Sequence, residues 1–285
     1  MTRTWVLNPG AERELLAGKS APDQRTVAQM RERSSLFDDL CAGEPRVWLA
    51  DLGRERRYDG RALLWCPTPA AVEACAAAGL VPQAAPRLEV LERVLSKAFL
   101  GTALEGHTPP HHHVVRSVDE YRALRSQVTA PLRAKPLDGY AGKGQRTLHP
   151  LAKGGDELWI LQRVQSGGFV VEAELEPTGE FSVHGVVTDE ATLIGQPCRV
   201  HTDDARAPLT APTACPDLPH AENIRGLGVV AARALAEAFY RGPFGLDLIE
   251  TRQGLYATDL NARFTLGFSA GLGPLREPAL ALVLG

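Results

Sequence analysis

Short apolar runs alternate with one helical pattern over the first 90 residues of the chain. Strands are predicted at TWVLNP, RVWLADL (46–52) and RALLWCPTP (61–69), the last ended by its prolines. The Ala-rich segment AAVEACAAAG (70–79) predicts a short helix that Gly79 ends. This order predicts a small α/β domain with a parallel sheet, over residues 1–90.

The patterns after residue 90 are more varied, and we assign residues 91–285 to a second domain. Leu91, Leu95 and Phe99 recur at helical spacing, and Ser117 begins a Ser-x-x-Glu capping box. The predicted elements are helices over 88–104, 117–128 and 222–240, strands over 130–137 and 156–164, hairpins over 169–189 and 242–264, and surface loops over 105–117 and 195–221.

Composition narrows the functional class. The chain has 285 residues, a formal net charge of −3, 44% hydrophobic and 23% charged residues, which are ordinary globular values. The charge argues against a general binder of nucleic acids or membrane surfaces. The five cysteines form no C-x-x-C pair and are predicted to be reduced thiols. Neither a signal peptide nor a membrane-length apolar run is apparent, so we expect a cytoplasmic protein.

A glycine-rich segment, AKPLDGYAGKGQRTL (134–148), carries the first chemical signal. Gly139, Gly142 and Gly144 permit backbone geometries that turn N–H groups toward an anion, and Lys135 can neutralise it. This predicts phosphate binding. Gly144 stands where a P-loop requires Ser or Thr, the dinucleotide spacing G-x-G-x-x-G is absent, and the kinase signatures H-R-D and D-F-G are missing.

The second signal is a set of oxygen ligands in the last predicted hairpin. Asp247 and Asp259 are equidistant from residue 253 at its turn, so they should lie opposite each other, with Asn261 on the same face. Two close carboxylates repel unless a cation lies between them, and such oxygens suit Mg²⁺. Arg263 shares this face and can meet an anion near the metal.

Together these motifs resemble the ATP-grasp fold of D-alanine–D-alanine ligase, glutathione synthetase and biotin carboxylase. The resemblance covers roughly residues 90 to 285 and implies an α/β fold preceded by a small α/β domain. It implies that Lys97 and Lys135 contact phosphate, that Gly139, Gly142 and Gly144 close over it, and that Arg263 contacts phosphate or substrate. It also implies that Asp247, Asp259 and Asn261 bind the metal, and that LQRVQSGG is the hinge, with Gln162, Arg163, Val164 and Gln165 along the adenine.

Two positions depart from the family's pattern. Asp259 stands where the family usually has Glu, and a carboxyl one methylene shorter can change the metal geometry. Phe169 lies near the place of the usual ribose-binding acid, for which Glu172 or Glu174 could substitute.

The resemblance implies an ATP-dependent carboxylate–amine ligase that forms an amide or peptide bond through an acylphosphate, with ATP and Mg²⁺ as cofactors. Its substrates would be a small carboxylate and an amine, such as an amino acid or peptide, and a homodimer would be consistent with the family. Two alternatives remain open: a nucleotide-binding protein without ligase activity, and a small-molecule phosphotransferase.

Overall fold

The computed structural model describes residues 2–16, 24–54, 58–139, 142–150, 154–202 and 209–285. Within these ranges the chain forms three β-sheets, which we call the N-terminal, small and large sheets. No helix in the described part of the chain is both long enough and apolar enough to span a lipid bilayer.

The N-terminal sheet is parallel, as its alternating pattern predicted, with strand order β2-β1-β3-β4. Its elements are β1 Arg3–Leu7, α1 Ala11–Leu16, α2 Gln24–Glu32, α3 Asp38–Cys41, β2 Arg46–Trp48, β3 Arg61–Leu64, α4 Pro69–Ala77 and β4 Val81–Pro82. The second and third strands are shorter than predicted. A 3₁₀ turn over Leu49–Asp51 ends β2, and the Thr68 side chain caps α4 by accepting a hydrogen bond from the Ala71 amide.

The small sheet follows two short helices and is antiparallel, with order β5-β8-β6-β7. The elements of this region are α5 Leu88–Leu95, α6 Ala98–Ala103, β5 His113–Val115, α7 Val118–Gln127, β6 Leu132–Pro136, β7 Arg146–Leu148, α8 Gly154–Gln165 and β8 Phe169–Ala173. The capping box predicted at Ser117 is confirmed, because its hydroxyl accepts from the Glu120 amide and the Glu120 carboxylate accepts from the Ser117 amide.

The large sheet has the order β12-β11-β9-β13-β14, and β10 pairs with β9. Its elements are β9 Gly179–Val187, β10 Thr192–Ile194, β11 Cys198–Arg199, β12 Thr213–Ala214, α9 Ala221–Glu237, β13 Gly242–Thr251, β14 Gly254–Asn261, α10 Phe268–Leu272 and α11 Arg276–Leu284. The helix over 222–240 and the hairpin over 242–264 are confirmed. The segments 105–117 and 195–221, predicted as loops, contain the short strands β5, β11 and β12.

The described residues form three hydrophobic clusters, one of which packs Val6, Ala62 and Leu64 of the N-terminal sheet against Ala71 and Cys75 of α4. Another core joins the N-terminal and large sheets, where the rings of Trp5 and Phe264 pack edge to face with centroids 4.8 Å apart. The small sheet has a separate core, in which Phe169 is fully buried against Trp159 and Tyr121. The division of the chain at residue 90 stays a prediction.

The strand predicted over 156–164 is wrong, because these residues lie in α8. Its apolar positions follow a helical period: Ile160 is buried with Val164 packed one turn later, whereas Leu158 and Leu161 are exposed. A short apolar run cannot distinguish a strand from a helix by hydrophobicity alone, and Glu, Leu, Gln and Arg in this segment favour a helix.

Two further predicted elements are divided in the structure. The predicted hairpin over 169–189 does not form, since β8 lies in the small sheet and β9 in the large sheet. The predicted helix over 88–104 breaks into α5 and α6 because Ser96 adopts an extended conformation, with φ −68° and ψ 132°. Both breaks matter for the site, since they place residues 174–178 and Lys97 beside it.

Candidate active site

A cavity of about 230 Å³ opens where the three sheets meet. The large sheet contributes its acidic hairpin, the small sheet contributes Lys135 and Glu172, and the N-terminal region contributes Glu12 and Trp65. Residues 174–178 connect β8 to β9, and Glu174 and Leu175 of this connector also line the cavity. The cavity therefore lies between the sheet that carries the glycine segment and the sheet that carries the two acids.

The predicted pairing of the two aspartates is confirmed. Asp247 on β13 lies directly opposite Asp259 on β14, and a register shift immediately follows this pair. The Asn261 side chain donates to Asp247 Oδ2 at 3.1 Å. Since positions 259 and 261 are two apart in one strand, the two carboxylates and the amide face the same cavity.

Two lysines bring positive charge to this acidic face. Lys97, at the break between α5 and α6, donates to Asp259 Oδ1 at 2.6 Å. Lys135 on β6 lies 2.5 Å from Glu172 Oε1 and donates to the backbone oxygen of Thr258 at 2.8 Å. Both side chains are 8% exposed, so their charges act where solvent screens them little.

The two aspartates titrate in opposite directions. Burial, followed by the charge of Asp259, raises the pKa of Asp247 to about 7. Burial acts on Asp259 too, but the neighbouring Lys97 ammonium outweighs it and lowers the pKa of Asp259. The charges of Lys97 and Arg263 also lower the pKa of Asp247, but they do not offset burial and the charge of Asp259, and the Lys97 ammonium contacts Asp259 instead.

Glu172 shows how Lys135 is held. Its carboxylate is 4% exposed, and although burial opposes ionisation, the Lys135 ammonium lowers the pKa of Glu172. Its second oxygen lies 3.3 Å from Nδ1 of His112. His112 lies in the predicted surface loop over 105–117, outside any helix or strand, but its side chain is only 6% exposed, so the prediction of a surface position is wrong for this residue.

Arg263 lies at the junction with the N-terminal region. Its Nε donates to Glu12 Oε1 at 2.6 Å, its Nη2 donates to Asn261 Oδ1 at 3.0 Å, and its guanidinium lies 4.9 Å from the centre of the Trp65 ring. Both Arg263 and Glu12 are buried. The arginine therefore links the acidic hairpin to helix α1.

The glycine segment adopts the backbone geometry that its sequence predicted. Gly142 and Gly144 have φ values of +72° and +75°, which other residues rarely adopt. Gly142 lines the cavity, and a Cβ at Gly139 would lie 3.4 Å from Cε of Lys97. Tyr140 and Ala141, between them, lie outside the described residues.

The structure does not place every predicted residue at the cavity. Gln162, Arg163, Val164 and Gln165 form the last turn of α8, where the backbone amides of residues 166–168 bond to carbonyls of the turn. They do not line the cavity. Their assignment as a strand-like hinge is therefore corrected, since the backbone that links the two sheets beside the cavity is residues 174–178.

The donor set fits a small divalent cation. Two carboxylates and an amide oxygen are hard ligands of the kind Mg²⁺ takes, and the raised pKa of Asp247 marks a carboxyl that a cation would compensate. Among the described residues, no three His, Cys, Asp or Glu side chains cluster closely enough to ligate one ion. A cation here would take its remaining ligands from water or from a bound phosphate.

Glu12 was not predicted as a residue of this cavity, and Glu172 was predicted only as a substitute for a ribose-binding acid. Glu12 is 251 positions from Arg263, and neither acid stands in a recognisable motif. One signal was available for Glu172: the run FVVEA puts one acid inside an otherwise apolar strand, and a buried charge requires a partner.

Comparison with known proteins gives only structural matches. No protein-family model and no curated protein matches the chain. D-cycloserine synthetase DcsG superposes with a TM-score of 0.63 at 14% identity, over 99% of this chain and 100% of that one. D-alanyl-alanine synthetase A from Vibrio cholerae gives a TM-score of 0.56 at 12% identity, over 99% and 93% of the two chains.

A third similar structure was solved with nucleotide and metal. It is the biotin carboxylase domain of the Hydrogenobacter thermophilus 2-oxoglutarate carboxylase, in complex with MgADP, ADP and bicarbonate. Its TM-score is 0.59 at 14% identity, over 93% of this chain and 65% of that one. The chain thus has the α/β ATP-grasp fold, as the sequence motifs predicted, and at these identities the similarity establishes the fold alone.

Proposed function

We propose that this protein is an ATP-dependent carboxylate–amine ligase that uses Mg²⁺ and forms an amide or peptide bond through an acylphosphate. The observation that carries the proposal is that Asp247, Asp259 and Lys135 line one cavity between two sheets, with Lys97 paired to Asp259. This arrangement combines oxygen ligands for a cation with positive charges for phosphate, which phosphoryl transfer requires.

In this proposal ATP would lie between the small and large sheets. The connector 174–178 would lie along the adenine, because it links the two sheets and its Glu174 and Leu175 line the cavity. Lys135 and Gly142 lie on the small-sheet side, where the phosphates would bind. Similar structures solved with ADP or MgADP support this choice of nucleotide and metal.

Asp247, Asp259 and Asn261 would hold Mg²⁺, which when bound screens the negative charge of the phosphates. Lys97 and Lys135 would add positive charge on the side of the phosphates opposite the metal. As the nucleotide enters, the two ammonium groups would exchange part of their contacts with Asp259 and Glu172 for contacts with phosphate. The protein contributes mainly position and electrostatic stabilisation, which in phosphoryl transfer supply most of the rate enhancement.

The reaction would have two steps. The carboxylate of the first substrate attacks the γ-phosphorus of ATP, and ADP leaves as an acylphosphate forms. The amine of the second substrate then attacks the acyl carbon, phosphate leaves, and the ammonium proton is released to solvent or a base. Arg263 would contact the phosphate or the substrate carboxylate from beneath the acidic hairpin, and the glycine segment would exclude water from the acylphosphate.

No covalent nucleophile from the protein is needed, and the thiol of Cys66 is unsuited to that role. Cys66 is fully buried beside Glu12 and Arg263, and burial raises its pKa well above the ordinary value. A thiol without thiolate character is a weak nucleophile.

The test is calorimetric titration of ATP in the presence and absence of Mg²⁺. Wild type should bind ATP in a Mg²⁺-dependent manner, Lys135→Ala should bind roughly ten- to a hundredfold more weakly, and Asp259→Asn should lose the Mg²⁺ dependence. Arg122→Ala is the matched control, since this exposed arginine lies on α7. Phosphate release would then be followed with panels of carboxylates and amines, and an amide product confirms ligation.

A second candidate is nucleotide binding without ligation. Its supporting observation is Asp259, which is shorter than the usual Glu and already paired with Lys97 at 2.6 Å. Measured amide formation would eliminate this candidate. ATP binding without turnover across the whole panel would instead favour it, and absence of ATP binding would contradict both.

A further inference from the structure

His112 is buried one side chain away from the wall of the cavity. Its side chain is 6% exposed, and its Nδ1 lies 3.3 Å from Oε2 of Glu172, whose other carboxylate oxygen contacts the Lys135 ammonium. Lys135 and Glu172 line the cavity, whereas His112 does not. The three side chains therefore form a buried row, of which only the two nearer ones can reach a bound group.

The hydrogen bond to Glu172 determines which ring nitrogen of His112 carries a proton. Although burial opposes ionisation of Glu172, the Lys135 ammonium and then the hydrogen bond from His112 lower its pKa. An ionised carboxylate accepts hydrogen bonds and cannot donate, so Nδ1 of the ring must be the donor. Nε2 has no hydrogen-bond partner among the residues that the structure describes. Glu172 is therefore the partner that orients the ring.

The surrounding backbone leaves the His112 ring little freedom. The preceding residue, His111, has a φ of +62°, and the Ala173 amide donates to the Pro110 carbonyl at 2.7 Å, which joins this turn to the end of β8. The ring also lies against Gly101 of α6, where an added Cβ would come within 2.9 Å of its Cδ2 and Nε2. A ring enclosed in this way acts as a fixed donor.

A fixed donor limits how the Glu172 carboxylate can bind Lys135. With Oε2 bonded to His112, Oε1 contacts the ammonium at 2.5 Å, and the backbone oxygen of Thr258 accepts a second hydrogen bond at 2.8 Å. An ammonium has three donors, so one is left for a group bound in the cavity. Without the His112 donor, the carboxylate could turn both oxygens toward Lys135 and neutralise it more completely.

We infer that His112 is a positioning residue for nucleotide binding: its Nδ1–H retains one oxygen of Glu172, so that Lys135 keeps a donor and part of its charge for phosphate. This inference rests on the proposed function. A residue that acts through Glu172 and Lys135 should affect the binding of phosphate groups and leave binding of the nucleoside unchanged.

The test compares two substitutions of similar size at His112. In His112→Asn the side-chain amide places an N–H near the position of Nδ1, whereas His112→Leu fills the space without a donor. By calorimetry with Mg²⁺, His112→Leu should bind ATP roughly three- to thirtyfold more weakly than wild type, and His112→Asn should recover most of this loss. A role in packing alone predicts the opposite order, since a buried site accepts Leu more readily than an unpaired amide.

Two further measurements separate this effect from a general loss of structure. Adenosine, which has no phosphate, should bind wild type and both variants equally. In a Glu172→Gln background, His112→Leu should weaken ATP binding no further, because the carboxylate through which His112 acts is gone. His113→Leu, at the exposed neighbouring histidine, is the matched control and should bind ATP as wild type does.

Should His112→Leu fail to fold, Gly101→Ala provides a second variant. Its added methyl group displaces the His112 ring from outside the cavity, so ATP binding should weaken while adenosine binding persists.

Three results would overturn the inference: His112→Leu binds ATP as tightly as wild type, His112→Asn binds no better than His112→Leu, or adenosine binding falls as much as ATP binding. The outcome is separable from the proposed function. ATP binding that no substitution at His112 changes retains the nucleotide site and rejects the role of His112. ATP binding that depends on His112, without amide formation, retains that role and rejects the ligase, whereas a wild type that binds no ATP rejects both.

Discussion

At the scale of single residues, Asp247 and Asp259 share one hairpin but have different partners. Asp259 is paired with the Lys97 ammonium, whereas Asp247 accepts a hydrogen bond from the neutral amide of Asn261. Burial and the charge of Asp259 raise the pKa of Asp247 to about 7. In the absence of a bound cation, the folded protein therefore holds a proton on Asp247 more tightly than the unfolded chain does.

This difference predicts that Asp247→Asn stabilises the metal-free protein above neutral pH. As pH rises from about 4 through 7, wild type loses stability because the folded state must release a proton that the unfolded state has already lost. At pH 8 the variant should unfold with a free energy on the order of 2 kcal/mol higher, and the gap should close toward pH 4. Urea titrations of both proteins in the presence of EDTA measure this difference in unfolding free energy.

Mg²⁺ should reverse the order of stabilities at pH 8, because it binds the ionised pair in wild type and binds the variant weakly. Asp119→Asn, at a carboxyl that is 90% exposed, should match wild type throughout and serves as the control. A variant that is less stable than wild type at pH 8 in EDTA would show that Asp247 is compensated by some other charge.

A buried histidine that lines the cavity gives an opposite pH dependence of stability. His184 is 1% exposed, its two ring nitrogens bond to Ser182 and Thr265 at 2.9 and 2.8 Å, and burial lowers its pKa to about 3. Folding therefore excludes a proton that the unfolded chain binds below about pH 6.5. The neutral ring contributes stability that is present above that pH and is lost as pH falls toward 3.

We expect wild type to lose about 2 kcal/mol of unfolding free energy through His184 between pH 6.5 and 5. His184→Gln cannot take up this proton, so its stability should fall less over the same interval by about that amount. Urea unfolding of both proteins at pH 6.5 and pH 5 gives the comparison. Parallel losses in the two proteins would mean that His184 is protonated in the folded state.

The residues of the site were predictable to the extent that they are local in sequence. Asp247 and Asp259 pair across one turn, so counting from residue 253 gave their register. Glu12 is 251 positions from its partner, and only the folded chain brings them together. Lys135 was predicted as a phosphate-binding residue from the glycines that follow it. Its partner Glu172 could not be predicted in the same way, because it lies on another strand.

At the scale of elements, the segment that joins the two sheets beside the cavity is the connector 174–178, between β8 and β9. The sequence prediction placed a hinge at 162–165 because it interpreted an apolar run as a strand. That run has helical periodicity and forms α8, which packs on the small sheet through Ile160 and Trp159. Over so few residues the apolar pattern alone does not distinguish a helix from a strand, and the packing in the folded protein shows which one forms.

The corrected position of the connector makes a prediction about the nucleotide base. Photolysis of bound 8-azido-ATP should label a peptide that contains residues 174–178, since Glu174 and Leu175 line the cavity, and should leave the peptide with residues 162–165 unlabelled. Mass spectrometry of the digested protein identifies the site. Excess ATP should suppress the labelling, and labelling confined to 162–165 would restore the earlier assignment.

The break between α5 and α6 places a lysine of the site. An uninterrupted helix over 88–104 satisfies the apolar pattern, and the sequence analysis predicted one. In the structure Ser96 leaves the helical conformation, the Lys97 amide bonds to the Leu137 carbonyl, and its side chain reaches Asp259. The apolar pattern could not reveal the break, because α5 and α6 both bury apolar residues.

At the scale of the whole molecule, the cavity lies between parts with separate cores. The N-terminal and large sheets share one core, and the small sheet has its own. Lys135 and Glu172 thus belong to a part that is joined to the acidic hairpin by the connector 174–178 and by polar contacts such as the Lys135–Thr258 hydrogen bond. Few apolar contacts need to break for the small sheet to open locally.

This division predicts that core mutations act on one part at a time. Phe169→Ala, in the small-sheet core, should cost about 3–5 kcal/mol and speed amide exchange mainly in β5, β6 and β8. Phe264→Ala, in the shared core, should cost a similar amount but speed exchange in β1, β13 and β14 together. Hydrogen exchange followed by mass spectrometry resolves these segments.

Phe169→Leu is the conservative control, since it keeps most of the buried area and should change exchange far less. If Phe169→Ala sped exchange equally in all three sheets, the molecule would unfold as one cooperative unit. The two cores would then open with the same free energy. Entry of a ligand between them would require more than local opening of the small sheet. Exchange confined to β5, β6 and β8 would instead identify the small sheet as the part that moves when the cavity is filled.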